Sequence, residues 1–217
     1  MRSLLSIAPQ RWVMLFSGFI AWGFGLALFV RANLGLGPWD AFHQGLGFQT
    51  GLTIGTASII AGLIVLLFWI PLRERPGFGT IFNVLTIGPA TDLGLWLIPP
   101  GIENLWLRGT MLLAGMACVG LGSALYLPAG LGAGPRDGLM MGLHRKLGWS
   151  IRISRTSVEA SALGIGWLMG GTVGIGTLVF AFGIGPLVQF SLAHSHRFVR
   201  DWRPSPPSTP PSAPPRQ

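Results

Sequence analysis

The stretch "NLGLGPWDAFHQGLG", Asn33 to Gly47, sets Gly, Pro, Asp, His and Gln between two long apolar runs, and "GLGAGPRDGLMMGLH", Gly130 to His144, repeats the pattern. A shift of 97 residues, without a gap, lays the first on the second. Leu34, Gly35, Gly37, Pro38, Asp40, Gly45, Leu46, Gly51 and Ile54 fall on Leu131, Gly132, Gly134, Pro135, Asp137, Gly142, Leu143, Gly148 and Ile151, nine identities in twenty-five positions. The register continues outward: Gly77, Gly79, Thr80, Ile87, Gly88 and Pro89 meet Gly174, Gly176, Thr177, Ile184, Gly185 and Pro186, and Gly18, Gly23 and Gly25 meet Gly115, Gly120 and Gly122. A bias toward Gly and Leu accounts for part of this, but not for Pro and Asp recurring in register. The chain reads as an internal duplication.

The solvent for this duplication is a bilayer. Half of the 217 residues are hydrophobic and only 10% are charged, where a water-soluble domain carries roughly a quarter. The net charge of +8 does not indicate nucleic acid, because the basic residues flank apolar spans instead of forming a tract interleaved with aromatics. The basic N-terminus resembles a secretory signal, but the run from Trp12 to Val30 is too long for one, so it reads as an uncleaved first span. Cys118 is the only cysteine, which excludes an intrachain disulfide and argues against a Cys-based metal site.

Windows of the roughly 20 apolar residues needed to cross a hydrocarbon core fall at about 12–31, 54–71, 79–98, 108–127, 153–170 and 173–192. The fold class expected is an all-α polytopic membrane protein of six transmembrane helices arranged as two inverted three-helix repeats with short helices between spans. The boundaries are residues 1–98 for the first repeat, 99–194 for the second and 195–217 for a Pro-rich, disordered cytoplasmic tail. Three spans per repeat is odd, so the second copy should sit upside down relative to the first. With the N-terminus inside, Arg2, Arg11, Arg73, Arg75, Arg136, Arg145, Lys146, Arg152, Arg155, Arg197, Arg200, Arg203 and Arg216 face the cytoplasm and only Arg31 and Arg108 face out. This predicts a multi-pass protein of the bacterial inner membrane with both termini cytoplasmic.

Within each repeated segment, Gly37-Pro38 and Gly134-Pro135 read as a helix cap and first turn. Asp40 and Asp137 then take the third helical position, where a carboxylate meets the positive end of the dipole. Two readings stay open: well-capped loop helices, or re-entrant elements that line a cavity, as broken helices do in many secondary transporters. The candidate pathway residues are Gly37, Pro38, Asp40, His43, Gly134, Pro135, Arg136 and Asp137, with Asn83 in the third span and Glu159 in the fifth. Glu159 lies four residues after Arg155, a spacing that suits an interfacial pair, and a lone His43 reads as a polar surface residue. No metal-ligand spacing, phosphate-binding loop or nucleophile elbow occurs, so neither enzyme chemistry nor a cofactor is expected.

The segments "LGLGPWDAFHQGL", "TGLTIGTASIIAGLIVLLFWIPL" and "AGLGAGPRDGLMMGLHRKLGWSIRISRTSVEASALGIGWLMGGTVGIGTL" resemble the YczE-like bacterial membrane proteins, distantly the YitT-type group with its duplicated domain. The resemblance covers roughly residues 12–192. It implies a polytopic inner-membrane protein and carries no catalytic residues across. The functional expectation from the duplication is a small-solute transporter working by alternating access, with the lipid bilayer and a small solute as partners and a homo-oligomer as one arrangement. The alternative is a non-transporting accessory or scaffold that binds a cytoplasmic or membrane partner.

Overall fold

The computed structural model describes residues 8–195, which form eight α-helices. These are α1 (Pro9–Ala32), α2 (Pro38–Thr50), α3 (Ile54–Leu72), α4 (Phe78–Leu97), α5 (Leu105–Ala129), α6 (Pro135–Leu147), α7 (Ile151–Leu168) and α8 (Ile175–Ser195). The starts of α6, α7 and α8 lie 97 residues after those of α2, α3 and α4, the same offset as the sequence repeat. The local causes repeat as well. Thr53 caps α3 by accepting from the Thr56 amide at 3.1 Å, and Ser150 caps α7 by accepting from the Ile153 amide at 3.2 Å. The helices α2 and α6 both end on a left-handed glycine, Gly51 at φ 73° and Gly148 at φ 69°.

The halves are held together by contacts that exchange between them in register. The largest helix interface is α1 on α5. There Gly18 faces the Gly122 carbonyl and Gly25 faces the Gly115 carbonyl, and each relation also holds in reverse. Ascending positions on α1 meet descending positions on α5, so the two equivalent helices run antiparallel. Small residues let the backbones approach closely, which is how helices associate where lipid removes the hydrophobic drive. Phe19, Phe29 and Val119 fill the flanks of this seam with no exposure, and the Trp22 indole donates to Ser123 Oγ at 2.9 Å. Across the halves, α2 packs on α7 and α6 packs on α3. Gly45 lies against Gly166 and Met169, and Gly142, its counterpart, lies against Leu72.

Much of the outside is apolar. Leu63, Leu67, Phe68 and Ile70 of α3 and Phe182 of α8 are all exposed, a surface that requires lipid. Trp96 and Trp106, at the α4–α5 junction, are 80% and 87% exposed, as rings at a headgroup level are. Among the described residues four helices are long and apolar enough to cross a membrane: α1, α3, α5 and residues Ile175–Ala193 of α8. The expected windows 79–98 and 153–170 coincide with α4 and α7, which fall short of that measure. Their polar residues explain it, with Asn83, Thr91 and Asp92 on α4 and Arg152, Arg155 and Glu159 on α7.

The charged ends are anchored to backbone. Arg31 donates to the carbonyls of Leu95 and Ile98, and Arg108 to those of Ala32 and Asn33. Each cation therefore covers orphan carbonyls at the C-terminus of a neighbouring helix. At the opposite end Arg145 pairs with Glu74, and Lys146 donates to the Pro71 carbonyl at 3.0 Å. The Pro-rich tail, and the arginines counted at positions 2, 197, 200, 203 and 216, lie outside the described residues.

Candidate functional site

The two repeated segments meet inside the helix bundle. In each, a glycine with positive φ turns the chain, Gly35 at 120° and Gly132 at 141°, a conformation open to glycine. Each turn is then fastened to the helix start of the other half. The Gly176 amide donates to Leu34 O at 2.7 Å, and the Gly79 amide donates to Leu131 O at 2.8 Å. Thr80 Oγ1 adds a bond to Ala133 O at 2.7 Å. On the other side the Leu36 amide donates to Thr172 O at 3.0 Å, and Gln44 Oε1 accepts from the Thr172 amide at 2.7 Å. These bonds fix where α2 and α6 begin.

Both short helices start as the sequence predicts. Gly37 and Gly134 are the caps, Pro38 and Pro135 open the first turn, and Asp40 and Asp137 follow in it. Neither aspartate closes a capping hydrogen bond; each carboxylate leans over its own cap glycine instead. A Cβ built on Gly37 would stand 2.9 Å from Asp40 Oδ2, and one on Gly134 would stand 3.0 Å from Asp137 Oδ2. The glycines are thus the space into which the carboxylates fold.

From these starts the side chains converge on a cavity of about 90 Å³. A single water needs roughly 10–15 Å³ by the same measure, so the space holds several waters or a solute of a few heavy atoms. Asp40, His43, Asn83, Gly134, Pro135, Arg136 and Asp137 all line it. Trp22, Trp39, Ser58 and Tyr126 also line it, and the sequence reading did not select them. Three of these are aromatic or hydroxyl residues inside apolar spans, where packing is the ordinary role. Trp39, however, stands inside the repeated motif, at the position that Arg136 takes in the second copy. Tyr126 is the only tyrosine of the chain, which is the signal that was there to use.

Two side chains bear two expectations each from sequence, a place at the surface and a place in the pathway. Arg136, a cytoplasmic cation by the charge pattern and a pathway candidate by the repeated motif, has its guanidinium in the cavity wall, 4.9 Å from the centre of the Trp22 ring. It interacts electrostatically with Asp40, His43 and Tyr126. His43, read as a surface residue, is half-buried beside the rings of Trp39 and Phe42.

The remaining candidates sit elsewhere. Gly37 and Pro38 are buried at the helix start, Gly37 against Phe180. Glu159 pairs with Arg155 at 3.1 Å, with both side chains partly exposed and away from the cavity lining. Exposed pairs at this spacing contribute about 0.3–0.5 kcal/mol. Glu159→Gln is therefore expected to leave expression, thermal stability and in vivo activity unchanged within error; loss of activity at normal expression would make Glu159 part of the pathway. Asp92 also has a structural place. Its Oδ1 accepts from the Gly55 amide at 2.9 Å and its Oδ2 from Thr53 Oγ1 at 2.6 Å, closing the start of α3.

Comparison with known proteins places this architecture in a family. Residues 9–192 match the family of unknown function DUF6198. The chain is 43% identical over 173 residues to an uncharacterized protein of Haemophilus influenzae, covering 78% of each chain. It is 37% identical over 187 residues to the uncharacterized membrane protein YczE of Bacillus subtilis, covering 85% of this chain and 86% of that one. The protein YyaS of the same organism is 29% identical over 165 residues. No solved structure matches the chain. The chain belongs to the DUF6198 family, its relatives include YczE, and it is an integral membrane protein.

Proposed function

We propose that this DUF6198 member is a carrier that moves a small polar solute across the bacterial inner membrane by alternating access. The observation that carries the reading is the convergence of two repeated helix starts, one from each half, on one cavity between apolar helices, into which Asp40, His43, Asn83, Arg136 and Asp137 face. A lone capped loop helix needs no partner, and two of them need not meet. In this reading α2 and α6 are re-entrant: 13 residues extend about 20 Å, less than the roughly 30 Å hydrocarbon core. Irregular backbone at that depth is tolerated where it lines a cavity. The antiparallel α1–α5 seam and the reciprocal contacts support an inverted repeat, the arrangement in which many carriers form a site at the repeat interface. Tilting one half against the other would then open the cavity to each side in turn.

The arrangement has six spans, with α4 and α7 crossing beside the four more apolar helices. It places Arg11, Arg73, Arg75, Arg145, Lys146, Arg152 and Arg155 inside and Arg31 and Arg108 outside. Alkaline-phosphatase fusions are expected to be active after Thr50 and after Asn104 and inactive after Lys146 and after Arg203. Activity at Lys146 would refute the inversion. The carrier reading itself is tested by uptake into liposomes containing the purified protein, across a panel of small polar solutes. Saturable uptake that requires the protein is the expected result; rates equal to protein-free liposomes for the whole panel would overturn it.

A further inference from the structure

The cavity wall holds opposite charges that do not pair. Asp40 is 4% exposed, and its Oδ2 is buried without a hydrogen-bond partner. The neighbouring Trp39 Nε1 is a buried donor that also lacks one. In the same wall Arg136 makes no side-chain hydrogen bond and no close ion pair with any described residue; it stacks on Trp22 and acts on Asp40 only at longer range. Among the described residues the ion pairs are Arg145–Glu74 and Arg155–Glu159, both outside this space. A half-buried guanidinium and a buried carboxylate thus line one cavity, with Asp40 Oδ2 and the guanidinium N–H groups making no hydrogen bond to a described residue. A buried carboxylate oxygen and a buried indole N–H without partners are costly, and in proteins such groups ordinarily close on each other or on backbone.

The charge balance narrows what can fill the gap. Two carboxylates and one guanidinium line the wall, and each helix start adds roughly half a positive charge. With histidine neutral, the sum is about zero. A guest with net charge would leave that charge uncompensated in a space walled by apolar helices. A guest with no charge at all would leave Asp40 and Arg136 without close, charge-assisted hydrogen-bond partners. A molecule that carries both signs, an ammonium toward Asp40 and a carboxylate toward Arg136 and the Trp39 indole N–H, satisfies all three. The planar fork of arginine suits a carboxylate in particular. The aromatic faces of Trp22, Trp39 and Tyr126 suit the cationic end, and the cavity volume holds it to a few heavy atoms.

We propose that the ligand of this cavity is a small zwitterion, an ammonium carboxylate of amino-acid size, clamped between Asp40 and Arg136. The proposal rests on the reading of this cavity as the solute site, and the test separates the two. Purified full-length protein in nanodiscs is titrated calorimetrically with glycine, L-alanine, β-alanine and glycine betaine, and with methylammonium, acetate and acetamide as single-group controls. At least one zwitterion is expected to bind about tenfold or more tightly than any control, the difference that one charge-assisted contact supplies. Asp40→Asn and Arg136→Gln should each weaken that zwitterion about tenfold or more, whereas Arg136→Lys should recover part of the loss. Thermal melting of each variant shows whether it is folded, and Arg136→Lys keeps the comparison valid if Arg136→Gln is not. Binding of a control ion as tight as the best zwitterion, or no zwitterion binding at all, would overturn the proposal. Zwitterion binding without uptake into liposomes would leave the proposal standing and remove the carrier reading. Saturable uptake of a solute of another class, with no zwitterion binding, would do the reverse.

Discussion

Valine at Gly18 or at Gly122 is expected to leave little monodisperse protein after detergent extraction. A Cβ at Gly18 would stand 2.7 Å from the Gly122 carbonyl oxygen and 2.9 Å from the Tyr126 amide, and one at Gly122 would stand 2.6 Å from the Gly18 carbonyl oxygen. These obstacles are backbone, so no rotamer change relieves them. The helices must separate, and the cost is about 3 kcal/mol per site, a large part of a typical folding free energy of about 5–15 kcal/mol. Because the seam repeats in reverse, Gly25→Val and Gly115→Val should behave alike. Gly109 of the same helix α5 has no atom within 4 Å of its would-be Cβ, so Gly109→Ala should be neutral or stabilising by up to about 1 kcal/mol. Fluorescence-detected gel filtration with a melting series reads both results. A normal profile for Gly18→Val would mean that α1 and α5 do not approach as described.

The second large effect is expected on activity without one on folding. Asp40→Asn and Asp137→Asn keep the shape of the side chain. They lose the favourable charge at the helix start, about 0.3–1 kcal/mol each. Neither carboxylate closes a cap, so folding has little else to lose. Transport should fall about tenfold or more in each variant, because each carboxylate lines the shared cavity. The effect at Asp40 should be the larger, since it is the more buried of the two. Wild-type uptake in both variants would reduce the two segments to capped helices on a membrane scaffold.

Much of this was legible in the chain because the repeat carries its own punctuation. Gly-Pro followed by Asp marked the starts of α2 and α6 to the residue, and the turn residues at 71–77 and 170–174 separated the long helices where they do separate. The Arg155–Glu159 pair followed from helical spacing. What did not show was which element of one half meets which of the other. The bonds from Gly176 to Leu34 and from Gly79 to Leu131 join residues far apart in sequence, and no periodicity signals them. Arg136 carried two sequence expectations, cytoplasmic cation and pathway residue, for a related reason. A basic residue beside an apolar run is ordinarily a topology signal, and only the position of Trp22 on another helix shows that the side chain turns inward. Trp22 and Tyr126 were passed over because an aromatic in an apolar span is ordinarily packing. At α4 and α7 the polar residues Asn83, Asp92, Arg152, Arg155 and Glu159 lower the apolarity by which a span is recognised from sequence.

If the cavity built from both repeated segments opens to each side of the membrane in turn, as proposed, a residue that lines it is reachable from both. Asn83, on α4, lines that cavity, and Cys118 is the only native cysteine, so Asn83→Cys in a Cys118→Ser background gives a single reporter. A small membrane-impermeant methanethiosulfonate is added either to right-side-out or to inside-out vesicles, and the labelled fraction is read by mass spectrometry. Labelling of the same cysteine in both preparations is the expected result. Labelling from one side only, or from neither, would rule out alternating access through this cavity.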